Sequence, residues 1–217
     1  MAIQLKTLII ISFFLVGQCK TFGQIRDFVH NYTSQDSLQN PLIDSFAKKY
    51  DFIMAFTEQN WGRKNIKILA RSDKKWSSWT YSDYFIRGTI TKGTKEIVID
   101  TVKTGGFFKG KVNLKKVAVS ELLNKLDSND IWALSNDSLN QSRLYPYRIK
   151  NGDTTYTIAS ISDDTYYRFD VLTKFKSRVI ESYAPDYFLK LFPDMIERRR
   201  FINSRDSFLS WWDKYCH

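Results

Sequence analysis

Apolar residues fall into three rhythms along the chain. The first is an unbroken run over residues 8–16 (LIIISFFLV), preceded by Lys6 and followed by small and polar residues over 17–23. A positive start, a short apolar core and a small-residue end make a secretory leader. The run is about half of the roughly 20 residues a spanning helix needs, so no membrane span is expected. Thr21-Phe22-Gly23 places Thr21 and Gly23 at the positions a signal peptidase reads, and cleavage after Gly23 leaves Gln24 first. Residues 1–23 are thus expected to be removed. Gln18 stands before Cys19, where a lipid-anchored chain needs a small residue, so no lipid anchor is expected.

The second rhythm is alternation. Residues 51–57 (DFIMAFT) read as a buried strand. Ile66, Ile68 and Ala70 then alternate with Lys67, Leu69 and Arg71, and residues 72–75 (SDKK) read as a turn. Strand-like pieces follow at 76–81, 85–91 and 96–102, giving an antiparallel meander over about 51–102. The stretch 103–110 (KTGGFFKG) carries three glycines and reads as a loop, the one candidate for an internal boundary. A second meander of three strands is expected over 146–173. Its clearest signal is Asn151-Gly152, a dipeptide suited to the positive φ angles of a type I′ hairpin turn. Within it Tyr167, Phe169 and Val171 point one way and Arg168 and Asp170 the other, as expected of a sheet with one face buried.

The third rhythm is helical. Pro41 suits a first helical position, with Leu42, Ile43, Phe46, Ala47 and Tyr50 at helical spacing. Val119, Leu122, Leu123 and Leu126 predict an amphipathic helix over 117–127, stopped by residues 127–130 (DSND), with Ile131, Trp132 and Leu134 packed on the same core. From Ser177 onward the chain reads as helical, broken at Ala184-Pro185 and at Pro193. The last helix, 194–215, carries Ile196, Phe201, Phe208, Trp212 and Tyr215 near one stripe. The expected fold class is α+β: antiparallel β-meanders packed with one central helix and a C-terminal helical segment. Residues 24–217 are expected to form a single domain, because neither half alone holds a comfortable core.

Composition adds an aromatic share of 16%, enough for a well-filled core. Lys and Arg outnumber Asp and Glu by 33 to 23, and the leader takes only Lys6 and Lys20 of these charges. A basic surface points to acidic partners. The charges are scattered, however, and Glu197-Arg198-Arg199-Arg200 reads as a solvated helix face because neighbouring residues do not share a side. No nucleic-acid partner is expected. Beyond the leader the chain keeps only Cys216, so no intrachain disulfide is expected. In style, a one-thiol chain rich in Lys, Asn, Phe, Tyr and Ile resembles exported proteins of Gram-negative bacteria.

Candidate chemistry is sparse. The only histidines are His30 and His217, and His217 is the last residue. Asp213, Cys216 and His217 do not make a held nucleophile and base at a mobile end. Asp127, Asn129 and Asp130 lack the later glycine and glutamate of a calcium loop and read as helix-stop residues, as Asp163-Asp164 read as a turn. Gly105-Gly106 is followed by Phe107-Phe108, not the Lys-Ser/Thr of a phosphate loop. No metal and no cofactor are expected. The most promising feature is the aromatic run Trp76, Trp79, Tyr81, Tyr84, Phe85. Trp76 and Trp79 lie three apart, so on a strand they face opposite sides. Trp79, Tyr81 and Tyr84 are the candidate binding residues, because aromatic rings on a strand stack on sugars or anchor protein partners. The competing expectation is that C-terminal helices cover that face and make the rings core. The leading functional expectation is therefore an exported, periplasmic or extracellular, non-enzymatic binding module, a monomer with a protein or glycan partner in the cell envelope. The alternatives are a hydrolase whose carboxylates come from distant strands, and an inhibitor or immunity-type protein.

Overall fold

A computed structural model of the chain describes residues 41–92, 95–150 and 153–216, with side chains described outside residues 41, 42, 44, 84–92, 95–110, 112 and 145–150. Residues 1–40, which include the expected leader and His30, lie outside the described residues, as do Asn151-Gly152 and His217.

The fold is α+β. Helix α1 (Pro41–Ala47) begins on the proline, whose ring fixes φ at a helical value. Strands β1 (Phe52–Asn60), β2 (Arg63–Ser72), β3 (Lys75–Lys92) and β4 (Lys95–Leu114) then run as a meander. Helix α2 (Lys116–Ser128), a 3-10 turn (Ile131–Ala133) and the short helix α3 (Asn136–Leu139) follow. Strands β5 (Leu144–Lys150) and β6 (Asp153–Ile158) form a separate two-stranded hairpin. Strands β7 (Tyr166–Thr173) and β8 (Ser177–Tyr183) complete the main sheet, and helices α4 (Pro185–Leu191) and α5 (Ile196–Tyr215) end the chain. The main sheet has six antiparallel strands in the order β4-β3-β2-β1-β7-β8.

Alternation along β1 gives the sheet two buried faces. Phe52, Met54 and Phe56 meet α2 and α5 on one side, joined by Leu69, Trp76, Phe169, Val171 and Ile180. Phe208 of α5 is at the centre of that layer, its ring 5.3 Å from Phe56, 5.7 Å from Phe169 and 5.7 Å from Trp212. The buried residues of α5, among them Phe201, Arg205, Phe208 and Trp212, recur at the helical period. Trp211 donates from Nε1 to the Ala118 carbonyl at 2.6 Å and ties α5 to α2. On the other side Ile53, Ala55, Ile66, Ile68, Ala70 and Leu172 pack with Ile43 and Phe46 of α1.

Four expectations are corrected. Residues 103–110 are not a loop but the middle of β4. The ladder between β3 and β4 slips there: Tyr81 pairs with Phe107 and Asp83 with Thr104, so Gly105 and Gly106 together oppose Ser82. Glycine in a strand marks a bulge as readily as a turn, and these glycines serve the bulge. Second, 146–173 is not a three-stranded meander. Among the described residues β5 and β6 pair only with each other, and β7 lies between β1 and β8. Third, residues 177–183 are a strand, not helix. Arg178, Val179, Ile180 and Ser182 are all buried there, so no two-residue alternation marks the segment. Fourth, the last helix starts two residues later than expected and Ile196 is 61% exposed, outside the buried stripe.

Among the described residues the β8 edge is met by side chains rather than by another strand. Asn136 donates to the Val179 carbonyl at 3.2 Å and accepts from the Glu181 N–H at 3.1 Å. Asn140 donates to the Glu181 carbonyl at 2.8 Å. Two amides thus occupy the row of backbone groups that an edge strand would otherwise offer to another chain.

Candidate functional site

Trp76 and Trp79 do face opposite sides. Trp76 packs on Phe52 among the helices, with ring centroids 5.5 Å apart. Trp79 is half-buried on the α1 side, where it meets Phe46 edge-on at 5.6 Å and 83°. Phe46 in turn stacks on Tyr50 at 5.4 Å and 17°. The element behind Trp79 is therefore α1, not the C-terminal helices. Tyr81 shares the Trp79 side but is only 8% exposed, and its hydroxyl donates to Asp83 at 2.5 Å. Burial and Asp83 push its phenol up to about 12. Tyr81 therefore packs inward and is not presented at the surface. The backbone of Tyr84 pairs with Arg63, and its side chain lies outside those described.

A cleft of about 230 Å³ opens beside Trp79, at the end of the sheet where β2 turns into β3. Tyr50, Ser72, Asp73, Lys75, Ser77 and Asn113 contribute to its lining. Its shape comes from backbone that few residues tolerate. Asp73 and Lys74 sit at φ 49° and 66°, as a two-residue hairpin turn demands. Asn113 sits at φ 59° where β4 is bulged, since Trp76 pairs with Leu114 but Ser77 with Val112. Asp and Asn are the non-glycine residues that enter this region most readily. Three left-handed residues thus turn two strand ends outward around one concavity. Trp79 is held within it by donating from Nε1 to Ser77 Oγ at 3.3 Å. Two aromatic rings are therefore braced by Phe46, with hydroxyl, amide, carboxylate and ammonium groups around them. Sequence reading found Trp79 but missed Tyr50, Asp73 and Asn113, which reach the cleft only through the α1 exit, the turn and the bulge.

The strongest gathering of charge lies elsewhere on the same side of the sheet. Arg168 and Asp170 of β7, two residues apart, face the same way and form a forked pair, with Nε donating to Oδ2 at 3.0 Å and Nη2 to Oδ1 at 2.6 Å. Glu181 of β8 approaches Arg168 at 3.4 Å and accepts from the Tyr166 hydroxyl. Asp170 is wholly buried and Arg168 is 3% exposed. Burial works against the Arg168 charge, but the hydrogen bonds and charge of Asp170 outweigh it and raise the guanidinium pKa. Burial raises the Asp170 carboxyl against the opposing pull of Arg168. Burial and Glu181 raise the Tyr166 phenol. These carboxylates converge, as acid/base chemistry requires, but Asp170 has no exposed surface to offer a substrate. The arrangement is that of an internal tie between β7 and β8, and it makes both faces of β7 buried where one was expected.

Other sequence candidates resolve structurally. Cys216 is buried and its thiol is pushed up by burial. Asp130 adopts the left-handed geometry that ends α2 and meets Arg200 at 3.4 Å. Arg198, expected on a solvated helix face, is 3% exposed and donates to the Leu139 carbonyl at 2.7 Å. Arg199 is exposed and donates to the Pro193 carbonyl at 2.6 Å. The three arginines do splay, but one of them splays into the core. Among the described residues no three His, Cys, Asp or Glu side chains gather as a metal would need, and no helix is long and apolar enough to cross a membrane. No protein-family model, curated protein or solved structure matches the chain.

Proposed function

We propose that the chain is an exported, non-enzymatic binding module that holds a glycan of the cell envelope in the cleft between Tyr50 and Trp79. The observation that carries this reading is the half-buried Trp79 ring, braced by Phe46 and bordered by Asp73 and Asn113. Sugar rings present apolar C–H faces that stack on aromatics, and a fringe of hydroxyls that needs donors and acceptors. A concave site with rigid aromatics and a few polar groups answers both needs. The hydrolase alternative has its best carboxylates in Asp170 and Glu181, and the enclosure of Asp170 speaks against it.

The test is retention on immobilised polysaccharides, comparing the wild-type chain with Trp79→Ala. Loss of the ring is expected to weaken retention roughly tenfold, the weight of one good aromatic contact. Thermal unfolding of the variant checks that the fold persists. Equal retention of both proteins, or retention of neither on any polysaccharide, contradicts the proposal.

A further inference from the structure

The charge around the cleft is lopsided. Lys48 and Lys49 immediately precede Tyr50, Lys74 and Lys75 belong to the β2–β3 turn, and Lys115 follows Leu114. Because Trp76 pairs with Leu114 across antiparallel strands, Lys115 falls next to Lys75 at the strand ends. All five lysines are exposed, and they come from three separate segments that meet only in the fold. Asp73 is the one acid among the lining residues. The nearby Asp51 is already engaged, with Arg71 Nη2 at 3.1 Å.

We propose that the ligand is an acidic polysaccharide bearing carboxylate groups, an inference that rests on the glycan reading above. The division of labour follows from position. Asp73, Ser77 and Asn113 lie inside the cleft, where they meet sugar hydroxyls. Lys75 borders the cleft, and Lys48, Lys49, Lys74 and Lys115 adjoin its lining residues along the chain or across the strand pair, where they meet the carboxylates of flanking sugar units in the same polymer. Asp73 accepts from hydroxyls, which a sugar ring supplies on every unit, so the ring seated on Trp79 turns its hydroxyls to Asp73 and its carboxylate out of the cleft. Rim charges act through water, so their attraction weakens as salt shortens the Debye length from about 10 Å at 0.1 M to about 3 Å at 1 M.

The test titrates the full chain with three probes: polygalacturonate, its fully methyl-esterified form, and single-stranded oligo-dT. The expected result is that polygalacturonate binds at least tenfold more tightly than the ester at low salt. That preference should collapse at 1 M NaCl and in the Lys49→Glu/Lys115→Glu variant, whose two sites lie outside the cleft lining and whose binding to the neutral ester is unchanged. Equal binding of the charged and esterified polymers overturns the inference while leaving the glycan reading intact. Binding of neither polymer overturns both. Tighter binding of oligo-dT than of polygalacturonate, lost in the same variant, also overturns it.

Discussion

Arg168 and Asp170 stand two residues apart on one strand and close a forked ion pair inside the protein, with side-chain exposures of 4% and 0%. Charges are costly to bury, and the cost is offset only when geometry and hydrogen bonding are both good. Breaking the pair should therefore be far worse than replacing it. Asp170→Ala, which strands the guanidinium, is expected to lose about 3–5 kcal/mol of stability, and Arg168→Met/Asp170→Leu to recover most of that loss. Urea unfolding of the two variants checks this. Equal losses in both would show that the pair is not the source.

Tyr81 gives the fold a signature at high pH. Its phenol is raised to about 12 by burial and by Asp83. An unfolded tyrosine ionises near pH 10, so between about pH 10 and 12 the unfolded chain has lost a proton that the folded chain keeps. Stability contributed by Tyr81 is therefore present below pH 10 and lost as pH rises through that window. Tyr81→Phe should flatten the alkaline decline in stability. Ultraviolet titration of the folded protein should show fewer tyrosines ionising below pH 12 than in the unfolded state, with Tyr81 and Tyr166 among those held back.

Phe208 touches Phe56, Phe169 and Trp212 and has no exposed surface. Phe208→Ala removes a large ring from a layer confined between sheet and helix, with little room to collapse. A loss of about 3–5 kcal/mol is expected. Ile196→Ala, on the same helix but outward, should cost less than about 0.5 kcal/mol. Chemical denaturation of the two variants distinguishes the inward stripe from the outward face.

Lys74 sits at φ 66° in the turn that shapes the cleft. A lysine side chain is poorly suited to left-handed backbone, where glycine is at ease. Lys74→Gly is expected to raise stability by about 0.5–1 kcal/mol, read from the shift in denaturation midpoint. A loss of stability would mean that the turn does not hold this conformation.

Much of this architecture was legible in the residues, and the places where it was not share a cause. Segments with a clear apolar period announce themselves: α2 through Val119, Leu122 and Leu126, and β2 through the alternation of Ile66, Ile68 and Ala70. Segment 177–183 is buried on both faces, with Arg178 donating to the Leu134 carbonyl, so its pattern has no period to read. Gly105-Gly106 was ambiguous because the same freedom serves a loop and a bulge. Arg198 reads as a surface residue by type; the Leu139 carbonyl and the Phe188 ring, 5.0 Å away, supply partners that sequence distance hides. The candidate site was half legible. Trp79 stood out as an aromatic on a strand, but Tyr50 joins it only because α1 lies across that face.

The proposed role of the Trp79 ring and its cleft is to receive a sugar polymer. The most direct measurement is the indole N–H resonance of Trp79, assigned by its disappearance in Trp79→Phe, during titration with polygalacturonate. That N–H donates to Ser77 at the cleft wall, so ligand stacked on the ring must change its surroundings. A saturable shift of this resonance is expected, with those of Trp211 and Trp212, both buried among the helices, left in place. A binding isotherm that saturates while the Trp79 resonance stays fixed would contradict it.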